Sequence, residues 1–369
     1  MTEKIVGAFT QFGKLKKVLV GTMHPNDYYD IIPDKEFRER FRLINDETIE
    51  DLDNLANVIK DYGAEVFRTK DMFDQPGVYS NGVINVVNPR PPYIPRDFCD
   101  FVDNKMLGIV TNNQPHEYFS DYAYYDLYNS FANQGAEWHQ MPKSPGLDFD
   151  DVDYNSDDYP QNIFPIWNAS NVTKLGSNFY CSPLVTANQK GYNWYKSVIG
   201  DKVTFREFKN EHVYYAHVDS RVHILRPGLV VSENPKEVLY ENMPELKGWD
   251  CIHLPTDNSG KLKSYFGMGT NHFCSQFAGR FDISQWSSDW LRNMVDDDVL
   301  NTNFDINIIS LDENTVIIPE ENPEYQRMLA KHNVDSIVCK LRHKFFWGNG
   351  LNCHTADILR EDECIDYTK

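Results

Sequence analysis

The chain has 369 residues, with 55 acidic against 36 basic side chains and a net charge of −19, so a nucleic-acid backbone would be repelled. No apolar run approaches the roughly 20 residues needed to span a bilayer, and no basic run could hold anionic lipid, so neither nucleic acid nor membrane is an expected partner. An aromatic content of 14% points to a packed globular protein and against a disordered one.

The seven cysteines are odd in number and scattered, at 99, 181, 251, 274, 339, 353 and 364, with no Cys-x-x-Cys pair. That usage fits free thiols in a reducing compartment, not a disulfide framework. Met1 to Gly7 lacks the apolar core of a signal peptide, and a cytoplasmic location is expected. His-Glu-x-x-His, a Walker loop and Gly-x-Gly-x-x-Gly are absent, so no metal and no cofactor are expected. No linker divides the sequence, which reads as one domain over 1–369, with the Asp-rich stretch Asp148 to Asp158 as its most loop-like part.

In chain order, Lys17 to Gly21 reads as an opening strand. Asp46 to Tyr62 places Ile49, Leu52, Leu55, Ala56 and Ile59 on one helical stripe, and Gly63 is a plausible C-terminal cap. Then one phrase recurs: an apolar run, a polar turn, a second apolar run. Phe101-Val102 leads through Asp103-Asn104-Lys105 to Met106–Val110, and Val172–Leu175 through Gly176-Ser177-Asn178 to Phe179–Cys181. Val222–Leu225 leads through Arg226-Pro227-Gly228 to Leu229–Val231, and Ile306–Leu311 through Asp312-Glu313-Asn314 to Thr315–Ile318. The turn residues predict tight hairpins. Weaker helical patterns cover Glu117 to Gln134 and Tyr192 to Ile199. A firmer one runs from Pro323 to His332, before a strand at Val334 to Leu341. Five strand–hairpin–helix units suggest a radial α/β arrangement.

Near the C-terminus, Gly348-Asn349-Gly350-Leu351-Asn352-Cys353-His354 presents a cysteine on a glycine-containing loop. Glycine lets backbone approach a ligand closely. Taken alone, Cys353 is as well explained as a small buried hydrophobe. A guanidinium substrate would need more than a thiol: two carboxylates to grip its N–H edges, a thiolate to attack its carbon, and a histidine to protonate the departing amine. The chain offers Asp97 in Pro95-Arg96-Asp97, and Asp219 two residues after His217. On a strand, the spacing His217-x-Asp219 would point both side chains to one face. A structural histidine and a salt-bridged Asp97 remain alternative readings.

These segments, in this order, resemble the amidinotransferase family. Lys14–Gly21 is similar to its opening strand, Ile94–Asp97 to its first carboxylate motif, and Ala216–Asp219 with Arg226–Val230 to its His-x-Asp strand and Pro-Gly hairpin. Ser287-Ser288-Asp289-Trp290 resembles a Ser-Ser-Lys-Trp motif, and Gly348–Asp357 resembles the glycine-rich nucleophile loop. The resemblance implies a five-bladed α/β-propeller, the pentein fold, with pseudo-fivefold ββαβ units around a central active-site channel. It implies transfer of the amidino group of L-arginine through an amidino-Cys353 intermediate to glycine or a similar small amine, releasing L-ornithine. Cys353 would be the nucleophile and His217 the acid and base, while Asp97 and Asp219 would hold the guanidinium. Ser287, Ser288 and Lys236 would bind the amino-acid end of the substrate. Family members occur as monomers and homodimers.

Two residues depart from the pattern. Asn168 stands where the family has an acid that orients His217 and balances its charge; an amide can orient an imidazole but cannot offset its charge. Asn352 replaces a family histidine. A deiminase-type hydrolase, and a weakly active or inactive guanidino-compound binder, are therefore the competing expectations. The tandem sequons at Asn168 and Asn171 read as chance.

Overall fold

The computed structural model describes residues 4–82, 85–111, 118–143, 164–182, 187–208, 217–255 and 303–369. The strand β1 (Lys14–Val20) is followed by helix α1 (Lys35–Asp61) and β2 (Glu65–Arg68). A small hairpin, β3 (Val78–Ser80) and β4 (Asn85–Val87), and a helical turn, α2 (Pro95–Phe98), lead into β5 (Cys99–Val102), β6 (Lys105–Gly108), α3 (Tyr122–Ala132) and β7 (Glu137–Gln140). The next units are β8 (Val172–Leu175), β9 (Asn178–Cys181), α4 (Gln189–Ile199) and β10 (Thr204–Glu207), then β11 (Val222–Arg226), β12 (Leu229–Ser232), α5 (Lys236–Asn242) and β13 (Asp250–His253). Last come β14 (Ile309–Asp312), β15 (Thr315–Ile318), α6 (Pro323–Lys331), β16 (Asp335–Val338) and β17 (Thr355–Glu361).

These strands form five three-stranded sheets, ordered β17-β1-β2, β5-β6-β7, β8-β9-β10, β11-β12-β13 and β14-β15-β16. In each, two antiparallel strands are joined by a helical crossover to a third strand that runs parallel to the second. Five ββαβ blades of this kind make the α/β-propeller of the pentein fold.

Turn chemistry explains the hairpins. Asp103 and Asn104 both take positive φ, 50° and 62°, the conformation a two-residue turn between β5 and β6 requires. Pro227-Gly228 closes β11 on β12, with Gly228 at φ 87°. The strands of each hairpin are nearly all buried, whereas the third strands β2, β7 and β10 are mostly exposed or half-buried. That is why their sequence pattern is weak.

Three expectations are corrected. The first helix begins at Lys35, not Asp46; Phe41 and Ile44 are buried on its early turns, but the charge-dense segment around them, tied by pairs such as Lys35–Glu39, dilutes the stripe. The opening strand is longer than Lys17 to Gly21, and it is no isolated start: β17 from the other end of the sequence pairs with it antiparallel and closes the ring. The segment His217 to Asp219 is not a strand. It forms a 3-10 turn, Val218–Ser220, with His217 as its N-cap, because the chain must bend before entering β11. No helix among the described residues is long and apolar enough to cross a membrane.

Candidate active site

The residues that enter the first strand of each blade gather at one end of the propeller. Asp97 lies on α2, just before β5. Asn168 caps the 3-10 turn Ala169–Asn171 before β8. His217 and Asp219 precede β11, Asn307 precedes β14, and Cys353 precedes β17. The short turns pack on one another, α2 against the turn at 169–171 and that turn against 218–220, so residues far apart in sequence converge.

The nucleophile loop is anchored from two sides. Cys353 N–H donates to Asn307 Oδ1 at 3.0 Å, and Asn352 N–H to the Asn307 carbonyl at 3.1 Å. A Cβ on Gly350 would stand 2.5 Å from Asn307 Cβ, so only glycine permits this approach. On the other side, Arg96 N–H reaches the Cys353 carbonyl at 3.4 Å. Arg96 Nη2 donates to Asn352 Oδ1 at 2.9 Å and to Asp357 Oδ1 at 3.2 Å, and Arg360 Nε donates to Asp357 Oδ2 at 3.0 Å.

Asn352 Nδ2 donates to Asp219 Oδ2 at 2.7 Å. Its amide orientation is dictated by chemistry, since Arg96 can only donate and the carboxylate can only accept. Asp219 is buried, and among the described residues its Oδ1 meets no hydrogen-bond donor. Burial pushes its carboxyl up to about 6, with Asp97 adding to the rise, against the opposing pull of His217, Arg96 and the Asn352 hydrogen bond. Burial also pushes the Cys353 thiol well above its ordinary value; Asp219 and Asp97 add to this, while the Gly350 backbone and Arg96 oppose it. Burial and the two acids thus favour the thiol over the thiolate at Cys353.

The imidazole of His217 has Ser170 at its Nδ1: the Oγ lies 2.9 Å away. The same Oγ is 3.1 Å from Asp97 Oδ1 and in close contact with Asn168 Oδ1. Asn168 thus reaches that face of the histidine through Ser170, where direct orientation by residue 168 is expected from the sequence. Asn168 and Asn171 are both buried, which leaves a glycan no room and accords with reading the sequons as chance.

Lys236 is exposed at the start of α5, and among the described residues no hydrogen bond or ion pair joins it to Cys353, Asp97, His217 or Asp219. Ser287 and Ser288 lie outside the described residues, as does the Asp148 to Asp158 stretch. Among the described residues, no group of three His, Cys, Asp or Glu side chains could hold a metal ion. Sequence reasoning misses Ser170 and Asn307. The signal for Asn307 is a polar residue inside the apolar run Ile306 to Ile309, where it is fully buried. His354, beside the nucleophile, is also buried; its Nδ1 is 2.9 Å from the Tyr93 carbonyl, and burial pushes its pKa down to about 4.

The chain is similar to several known proteins. The chain is 24% identical over 333 residues to an L-arginine:L-lysine amidinotransferase of Pseudomonas savastanoi pv. phaseolicola, covering 86% of this chain and 80% of that protein. It is 22% identical over 351 residues to the mitochondrial glycine amidinotransferase of Gallus gallus, covering 86% and 71%. These similarities support an amidinotransferase family. No family model matches it. The solved inosamine-phosphate amidinotransferase of Streptomyces griseus superposes on this chain over 100% of both, with a TM-score of 0.73 and 22% identity, which establishes the shared fold.

Proposed function

We propose that this protein moves the amidino group of L-arginine to an amine acceptor through Cys353. The observation that carries the reading is the buried Asp219 Oδ1, which has no donor among the described residues, near a thiol and a second acid, Asp97. A buried anion with an unfilled acceptor site is costly unless a cation completes it, and a guanidinium supplies both charge and N–H groups. With that cation between the acids and the sulfur, the carboxylates no longer oppose thiolate formation. The thiol proton passes to His217, the sulfur adds to the guanidino carbon, and the C–N bond to ornithine breaks as His217 returns the proton to the leaving nitrogen. The acceptor amine then gives a proton to His217, attacks the amidino carbon and releases the Cys353 sulfur.

Glycine or a similar small amine is the proposed acceptor. The relatives named above carry lysine, glycine and inosamine phosphate in their names, three amines of differing bulk. The amino-acid end of arginine is assigned to Ser287, Ser288 and Lys236, and the reducing cytoplasm, which suits free thiols, is the proposed place of action. Product analysis with arginine and a panel of amines tests the reading. Ornithine release that depends on an amine supports it. Citrulline formed without an amine would show a hydrolase instead, and arginine binding without turnover a binder.

A further inference from the structure

The hydroxyl of Ser170 is surrounded by three groups that between them dictate its proton. Ser170 N–H donates to Asn168 Oδ1 at 2.9 Å, which fixes the oxygen end of that amide. The contact between Oγ and the same Oδ1 therefore needs the serine's own proton. Asp97 Oδ1, 3.1 Å from Oγ, is also an acceptor only. A hydroxyl has one proton, and two oxygens already compete for it. Were that proton turned to His217 Nδ1 instead, Oγ would press its lone pairs against both oxygens at a fully buried position. Only if Nδ1 itself carries the hydrogen and donates to Oγ, at 2.9 Å, is the histidine contact satisfied without that cost.

We propose that Ser170 is a positioning residue for the acid–base group, holding neutral His217 in its Nδ1–H tautomer so that Nε2 keeps the lone pair that takes and returns the reaction's proton. The inference deepens the function proposed above and rests on it for the role of His217. Asn168 acts here not on the imidazole but on the hydroxyl, by drawing its proton away. Asp97 is the second taker of that proton, so the group that would grip the guanidinium and the group that moves protons share one hydroxyl. A neutral oxygen at Nδ1 orients the ring without placing a full charge on it.

The test reads the tautomer directly. With 15N-labelled histidine in the full chain at alkaline pH, the His217 ring signals are assigned by their loss in His217→Asn. The expected result is a protonated Nδ1 and a bare Nε2 in the unaltered protein, reversion toward the Nε2–H form in Ser170→Ala, and retention of Nδ1–H in Ser170→Thr. In turnover, Ser170→Ala is expected to lower kcat by about 10²-fold with a change in KM for arginine of no more than about threefold, the size of a lost acid–base contribution, and Ser170→Thr to restore most of it. An Nε2–H signal in the unaltered protein, or an unchanged Nδ1–H in Ser170→Ala, would overturn the proposal. Absence of amidino transfer in the unaltered protein would instead overturn the proposed function and leave the tautomer assignment standing.

Discussion

Asn352 and Asp219 form a one-sided clasp: the amide fills Oδ2 of the carboxylate at 2.7 Å, while Oδ1 has no donor among the described residues. Because burial raises this carboxyl to about 6, Asp219 is largely protonated below that pH. A guanidinium prefers the ionised form. Arginine binding is therefore expected to release a proton at acid pH, and its affinity to rise by up to about tenfold per pH unit between pH 4 and 6 before levelling off above. Calorimetry on Cys353→Ala, which cannot turn over, measures this. The pH dependence should be lost in Asp219→Asn.

The sign is opposite for stability. A folded-state value above the ordinary 3.8 means that Asp219 costs stability once it ionises, a cost absent below pH 3.8 and complete above about pH 6. Asp219→Asn is expected to raise Tm at pH 7 while abolishing turnover. A lower Tm would show that the carboxylate is better compensated than its neighbours imply.

Gly350 has no space for a side chain, since an added Cβ would meet Asn307 Cβ at 2.5 Å and Oδ1 at 2.7 Å. Gly350→Ala should displace Asn307 from the Cys353 N–H. A misplacement on the order of 1 Å costs about 10²-fold in rate, so kcat is expected to fall by that order with the fold retained by circular dichroism.

Asp357 lies between Arg96 and Arg360. Burial pushes its carboxyl up, but the two guanidinium groups outweigh burial and hold it well below its ordinary 3.8. Its stabilising contribution is thus present above pH 3.8 and lost as the pH falls through its lowered value. Asp357→Asn removes one partner of a buried pair and is expected to cost about 3–5 kcal/mol in urea unfolding at pH 7. A loss under 1 kcal/mol would mean that Arg96 finds its charge balance elsewhere.

Asn168→Asp would add a carboxylate behind Ser170. It is expected to balance the charge that His217 gains when it takes the proton, and so to raise turnover. An unchanged or slower enzyme would show that the pocket is built for the amide.

The hairpins are legible in the sequence because their information is local: Asp103-Asn104 and Pro227-Gly228 specify turns by their own backbone preferences. The closure of β1 by β17 is not legible, since the pairing joins the two ends of the sequence, nor are the third strands, whose half-exposed faces blur the alternation. At the site, Cys353, His217, Asp97 and Asp219 stand out by residue type and by resemblance. Ser170 does not, because its importance lies in partners 47 and 73 residues away. The arrangement of His217 and Asp219 is misread as a strand because spacing two apart is common to strands and tight turns.

The most direct test of the account is the intact mass of the protein after exposure to arginine with no acceptor amine present. A covalent intermediate on the thiol predicts a gain of about 42 Da on Cys353, absent in Cys353→Ser and discharged by adding a competent amine. An unmodified mass, with arginine demonstrably bound, would contradict it.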